Sequence, residues 1–258
     1  MEYCDDDREY IRVRPLKTDL FLPRTSVSVG MSLKQLINSA VMAMNSTPAI
    51  LEEDPVEMMS RLKRHCDTHG QGSANPVTRH EGCIAVVLEA SGIRLAPERN
   101  VVPAENGVYF WYQAGGTQKK GDFTAFCAID GVATESVILD AKHSNGTTIY
   151  LNDGTFETDV VYIISFTRIL PKVKGQRRGE RENVCVVALG QDVMSEEDRA
   201  RLVRWREEIR RLNSLDMGDG SLCLYARSAN KYECGKRFGS EFTKECLEKT
   251  LAWLESSD

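Results

Sequence analysis

The chain has 258 residues, 28% charged and 41% hydrophobic, an ordinary globular balance with enough length to bury a full core. Its formal net charge of −5 argues against a non-specific polyanion binder, although a local basic surface could still meet nucleic acid. No apolar run is long enough to span a bilayer, and the acidic start MEYCDDDREY lacks a signal-peptide apolar region, so an intracellular, cytoplasmic protein is expected.

The eight cysteines (Cys4, Cys66, Cys83, Cys127, Cys185, Cys223, Cys234 and Cys246) contain no CxxC pair. The four histidines do not complete a zinc set, so reduced thiols are expected and a structural zinc site is not. Residues 1–30, broken by Pro15 and Pro23, read as irregular or strand-like. Arg12, Arg14, Lys17 and Arg24 there form a modest basic set, either a polyanion contact or a solvated surface.

A helix follows Ser32, which forms a capping box with Gln35. Leu33, Leu36, Ile37, Ala40, Val41 and Met44 give it an apolar face. A second helix is expected from Asp54, with Pro55 at its first position and Glu57 closing the box; Met58, Met59 and Leu62 are its core residues. The segment from His65 to Asn75 reads as a loop with His65 and His69 on the surface. A third helix runs from near Pro76 to about Ser91, with Ile84, Val87 and Leu88 as its apolar stripe. Asn106–Gln113 reads as a strand whose Tyr109, Trp111 and Tyr112 are core residues or stacking platforms.

Two β-like runs then follow, Gly121–Ile129 and Glu135–Lys142, joined by a turn at Asp130-Gly131, a strong hairpin signal. Asp122 opens the first run, and Asp140-Ala141-Lys142 closes the second. Strand alternation puts Asp140 and Lys142 on one face, with Val137, Leu139 and Ala141 on the other. Two carboxylates and an ammonium are thus gathered at one end of the hairpin. Such a set suits Mg²⁺, which takes oxygen ligands and keeps several waters, next to a phosphoryl group that the ammonium could stabilise. A salt bridge at the end of a surface hairpin has the same residues, so the flanking sequence must decide.

Those flanks are ordered. Gly-Gly-Thr-Gln-x-x-Gly-Asp-Phe precedes the hairpin, Ile-Leu-Asp-Ala-Lys-His-Ser ends it, and a polar loop with Asn152 leads to an apolar strand, Val160–Phe166. The pattern resembles the catalytic core of the PD-(D/E)XK nucleases. More narrowly, it is similar to type II restriction endonucleases with a Gly-Ser-Gln-x-x-Pro-Asp-Phe element before the Glu/Asp-x-Lys strand. Thr117-Gln118 stand for Ser-Gln, Asp122 for the motif aspartate, Asp140 and Lys142 for the acidic residue and lysine, and Tyr162-Ile163-Ile164 for the last strand. The likeness covers about a quarter of the chain. In two departures, Gly121 replaces a proline, a change expected to be tolerable, and His143 replaces a small polar residue.

The resemblance implies an α/β fold, a restriction-endonuclease-like central mixed β-sheet flanked by helices. It implies a single domain: a helical part over about 30–95, the core over about 106–168, and a basic helix and strand part over about 169–258. It also implies a Mg²⁺-dependent type II restriction endonuclease, a homodimer on double-stranded DNA at a short palindromic site, leaving 5′-phosphate and 3′-hydroxyl ends, with a DNA methyltransferase in the same system. Asp122, Asp140 and Lys142 would be catalytic. Asp122, Asp140 and the Ala141 backbone carbonyl would hold the metal, joined by a helical carboxylate, Glu81 in preference to Glu89. A structure-specific PD-(D/E)XK repair or processing nuclease and a non-catalytic DNA-binding protein keeping the fold are the alternatives. The intact Asp122, Asp140 and Lys142 set speaks against the last.

DNA contacts are expected at Thr117, Gln118, Lys119 and Lys120, at His143, Ser144 and Asn145, at Asn152, and at Arg177 and Arg178. The last two lie in Arg168–Glu182, read as a loop with six basic residues against two acidic ones. Asn183–Leu189 is a strand, and Ser195 to Asp198 caps a helix reaching Leu212 that carries six arginines from Arg199 to Arg211. This helix is a further phosphate-contact candidate. Leu222–Ala226 reads as a strand, followed by a basic loop with Arg227, Lys231 and Lys236. Ser240–Leu254 is an amphipathic helix with Phe242, Cys246, Leu247, Leu251 and Leu254 inward.

Overall fold

A computed structural model describes residues 31–52, 54–67, 76–115, 121–144, 148–151, 155–169, 181–216, 228–231 and 240–256. Two early helices begin at reciprocal caps. In α1 (Leu33–Ser46) the Ser32 hydroxyl accepts from Gln35 N while Gln35 accepts from Ser32 N, so two orphan amides are satisfied together. Helix α3 (Arg79–Ala90) repeats the device with Thr78 and Glu81. Between them lie a 3₁₀ turn, Pro48–Glu52, and α2 (Val56–Asp67). Helix α2 starts later than the sequence suggests, with Pro55 just outside and its carbonyl accepting from Met59 N. It also continues past His65, because Met58, Leu62, His65 and Cys66 form one inward face; His65 is buried, not on the surface.

The strands follow: β1 (Arg94–Leu95), β2 (Gly107–Tyr112), β3 (Phe123–Ile129), β4 (Val132–Ser144), β5 (Thr148–Leu151), β6 (Val161–Ile169) and β7 (Arg181–Leu189). Six of them build one mixed sheet in the order β1-β2-β3-β4-β6-β7. The β1–β2 and β4–β6 pairings are parallel and the rest antiparallel. Short α4 (Gly190–Val193), long α5 (Glu196–Asp216), β8 (Ser228–Lys231) and α6 (Ser240–Glu255) complete the chain, with β8 pairing antiparallel to β5. The fold is therefore α/β, a mixed six-stranded sheet flanked by helices.

Two corrections concern the C-terminal part. Arg168, Arg181 and Glu182 belong to strands, with Arg168 opposite Glu182, so only 170–180 of the expected basic loop remains, outside the described residues. Lys231 lies in β8 rather than in a loop. The expected strand at 222–226 also lies outside the described residues.

Each face of the sheet has its own core. On one, α1, α2, α3 and α6 cover Phe110, Tyr112, Phe123, Ala125, Val137, Leu139, Val161 and Ile163. On the other, Tyr162, Ile164, Phe166, Val186 and Ala188 pack with Phe156, Met194 and Leu202. Strand β4 serves both: Val137 and Leu139 enter the first core, and alternation turns Ile138, Asp140 and Lys142 to the second. At the joint of β7 and α4, a β-carbon on Gly190 would overlap the Glu157 carbonyl oxygen, so the backbones approach where only glycine fits. No described helix is long and apolar enough to cross a membrane.

Candidate active site

The β3–β4 hairpin closes through Asp130 and Gly131, both left-handed, at φ 50° and 75°. At its far end Phe123 pairs with Leu139, which brings Asp122 beside Asp140. The two aspartates are cross-tied. Ala141 N donates to Asp122 Oδ2 at 2.8 Å, and Gly121 N donates to Asp140 Oδ2 at 3.3 Å. Lys142 Nζ donates to Asp140 Oδ1 and lies 3.4 Å from the Ala141 carbonyl oxygen. Asp140 is buried, 4% exposed, so this ammonium is its counter-charge.

Gly121 occupies a position that proline could not. Its φ is +94°, which the proline ring forbids, and its N–H serves Asp140, which proline could not do. A β-carbon there would also lie 2.5 Å from Ile138 Cγ2. A proline in its place is not tolerable in this geometry.

Burial is the main reason the Asp122 carboxyl is pushed up to about 7, and the Asp140 charge is next. Lys142 and the Ala141 N–H pull it down, while Glu81 adds a further push upward. Glu81 is thus close enough for its charge to be felt. It is nearly buried, 9% exposed, and accepts from Thr78 N at 2.6 Å. Glu89 is committed elsewhere, to a two-pronged pair with Arg61 at 2.6 Å and to Leu95 N.

Could a divalent cation sit here? The donors are hard oxygens, and the crowding that makes Asp122 hold its proton is what a cation would relieve. Among the described residues no group of three His, Cys, Asp or Glu side chains is arranged to hold a metal ion. The two aspartates fit Mg²⁺ in the way that ion is commonly held, by one or two carboxylates with water and substrate oxygens completing the shell.

One step along β4, His143 is exposed and its Nδ1 lies 2.9 Å from Ser165 Oγ on β6. Ser165 Oγ also lies 3.3 Å from Nδ1 of buried His80, whose ring centroid is 5.3 Å from that of His143. Burial, then the neighbouring His143, lowers the His80 imidazole to about 4, so it is neutral. Sequence reading misses this triplet, because its members are 22 and 85 residues apart. Ser144 is half-buried at the strand end. Thr117, Gln118, Lys119, Lys120, Asn145, Asn152, Arg177 and Arg178 lie outside the described residues.

Helix α5 is less cationic than its sequence suggests. Arg199 pairs with Glu196, Arg201 with Glu197 and Asp198, and Arg211 with Glu208. Arg204, Arg206 and Arg210 form no ion pair among the described residues, and Trp205 between them is 63% exposed. The helix starts near the site: Arg199 and Asp140 both act on Tyr162, whose phenol burial raises above its ordinary value.

Comparison with protein-family models, with characterised proteins and with solved structures returns no match.

Proposed function

We propose that this protein is a Mg²⁺-dependent endonuclease of the PD-(D/E)XK kind with a restriction-endonuclease-like core, acting on double-stranded DNA. The narrower reading is a type II restriction enzyme: a homodimer cutting a short palindromic site to leave 5′-phosphate and 3′-hydroxyl ends, paired with a methyltransferase that protects the host genome. The observation that carries it is the convergence of Asp122, Asp140 and Lys142, with the Ala141 peptide between them, at one end of a rigid hairpin.

Asp122, Asp140 and the Ala141 carbonyl would hold the Mg²⁺, with Glu81 nearby. When bound, the ion polarises a phosphoryl oxygen and acidifies a water. Lys142 leans on Asp140 at the site, where a scissile phosphate would draw its ammonium toward the charge that builds on phosphoryl oxygens. The peptide N–H groups of Gly121 and Ala141 fix the two carboxylates, so little reorganisation remains for the reaction itself. Arg206 and Arg210 on α5 would meet backbone phosphates beyond the site.

Plasmid incubation with and without Mg²⁺ tests the reading. Discrete fragments that depend on Mg²⁺ are expected. Smears or junction-selective cuts would replace restriction by DNA processing, and binding without cleavage would remove the nuclease assignment.

A further inference from the structure

The aromatic residues of β2 divide sharply in exposure. Tyr109 and Tyr112 are sealed in the interior, 3% and 0% exposed, while Trp111 is only half-buried. Trp111 lies opposite Thr124 on β3, and Thr124 lies opposite Ile138 on β4, so these side chains form one row across the sheet. Ile138 and Asp140 are two residues apart on β4, which puts the row on the face that carries Asp140 and Lys142. Thr124 and Ile138 are half-buried too. The row therefore stays partly open directly beside the carboxylates.

The indole is held in place by its own neighbours. Its ring lies against Phe126, centroids 3.9 Å apart at 29°, and its Nε1 donates to the Val101 carbonyl oxygen at 3.1 Å. Asn100, beside Val101, takes a left-handed backbone, φ 62°, and donates from Nδ2 to the Ala114 carbonyl oxygen at 3.0 Å. The chain at 100–101 thus grips β2 and the residues after it at two points around Trp111. A ring fixed in this way loses little further freedom when a ligand covers it. By strand spacing, the Trp111 and Asp140 backbones are about 12 Å apart, two strands across and two residues along. A nucleotide next to a phosphate held at the carboxylates can reach that far, with Thr124 and Ile138 as the floor between.

We infer that Trp111 is a stacking platform for one nucleobase turned out of the strand beside the scissile phosphate. The inference rests on the nuclease reading above and adds a feature of the substrate: one base next to the cut is unpaired in the complex. Every base has a face that stacks on an aromatic ring, so such a platform holds the strand without reading its sequence. Taking a base out of a duplex costs least where that base is mismatched or already single-stranded. DNA with an unpaired base beside the cut is therefore the favoured substrate.

The first test uses the full-length wild-type protein in Ca²⁺ with a short single-stranded oligothymidylate in which 5-iodouracil replaces thymine. Irradiation links such a base to an aromatic ring stacked on it, and peptide mass spectrometry locates the bond. An adduct on Trp111 is expected; no adduct there, or adducts only elsewhere, such as on the 63% exposed Trp205, overturns the inference. The second test compares binding of plain oligothymidylate with an abasic strand of the same length and charge. Wild type is expected to prefer the strand with bases about 5-fold or more. Trp111→Leu, which keeps an apolar contact with Phe126, is expected to lose that preference, and Trp111→Phe to retain part of it. A Trp111 that only caps the core would lower the melting temperature of Trp111→Leu and leave the preference of the folded variant intact, which overturns the inference. A Trp111 adduct in a protein that cuts no plasmid keeps the platform and removes the nuclease. Plasmid cutting without the adduct or the preference keeps the nuclease and removes the platform, and a protein that neither cuts plasmid nor binds either strand removes both.

Discussion

Replacing Asp122 by Asn should stabilise the metal-free protein at neutral pH while abolishing cleavage. Asn is nearly isosteric, and its carbonyl oxygen can keep the bond from Ala141 N, now 2.8 Å. Its amide can donate to the neighbouring carboxylates instead of repelling them. The Asp122 carboxyl is raised from an ordinary 3.8 to about 7, chiefly by burial and then by Asp140. Between those limits the unfolded chain has lost this proton and the folded chain still holds it. Stability therefore falls as pH rises through that interval and levels off above it. Each pH unit traversed well below the folded value is worth about 1.4 kcal/mol and the slope halves at that value, so wild type should lose on the order of 2 kcal/mol relative to Asp122→Asn between pH 5 and pH 7. Urea denaturation of both proteins in chelator at a series of pH values measures this difference. Parallel curves for the two proteins would refute the claim that Asp122 is a carboxylate held against its own charge.

Lys142→Ala should lose cleavage by about 100-fold or more in a plasmid time course, since a preorganised charge leaves the transition state. Because Asp140 then lies buried without its counter-charge, the same variant should also melt lower. Gly190→Ala should cost on the order of 3 kcal/mol or prevent folding, because its methyl group overlaps the Glu157 carbonyl; a wild-type melting temperature would contradict the contact. Neutralising Arg206 and Arg210 together should weaken binding to all DNA sequences alike and flatten the slope of log K against log salt by about 1 to 2. An unchanged slope in salt-titrated binding would mean that this face of α5 is only solvated.

Features set by neighbours in the chain are legible in the amino-acid sequence. Ser32 with Gln35 starts α1, Asp130-Gly131 turns the hairpin, and alternation places Asp140 and Lys142 on one face with Leu139 on the other. The Thr78-x-x-Glu81 box is equally local and would have sharpened the start of α3. The spacing of Met58, Leu62, His65 and Cys66 already holds the helical face that buries His65. What cannot be read depends on elements far apart in the chain. Gly121 looks like a neutral exchange for proline because its bond to Asp140 exists only once β3 and β4 pair. The arginines of α5 overstate its charge, because acids three and four residues away neutralise half of them.

The hairpin pairs in two phases. Near the turn Ala128 faces Ala133, but from Cys127 onward the partner is one residue later, Glu135, leaving Thr134 as an extra residue. Such a bulge is where strand length can vary without altering what lies beyond it. Removing Thr134 would join the two phases and keep every later pair, Asp122 beside Asp140 included. Removing one residue between Ser136 and Leu139 would turn Asp140 toward the hydrophobic layer and carry Leu139 to the opposite side. Along the arms of this hairpin, then, evolution has freedom to change length near Thr134, and almost none in the stretch from Glu135 to Leu139 that separates it from the chemistry.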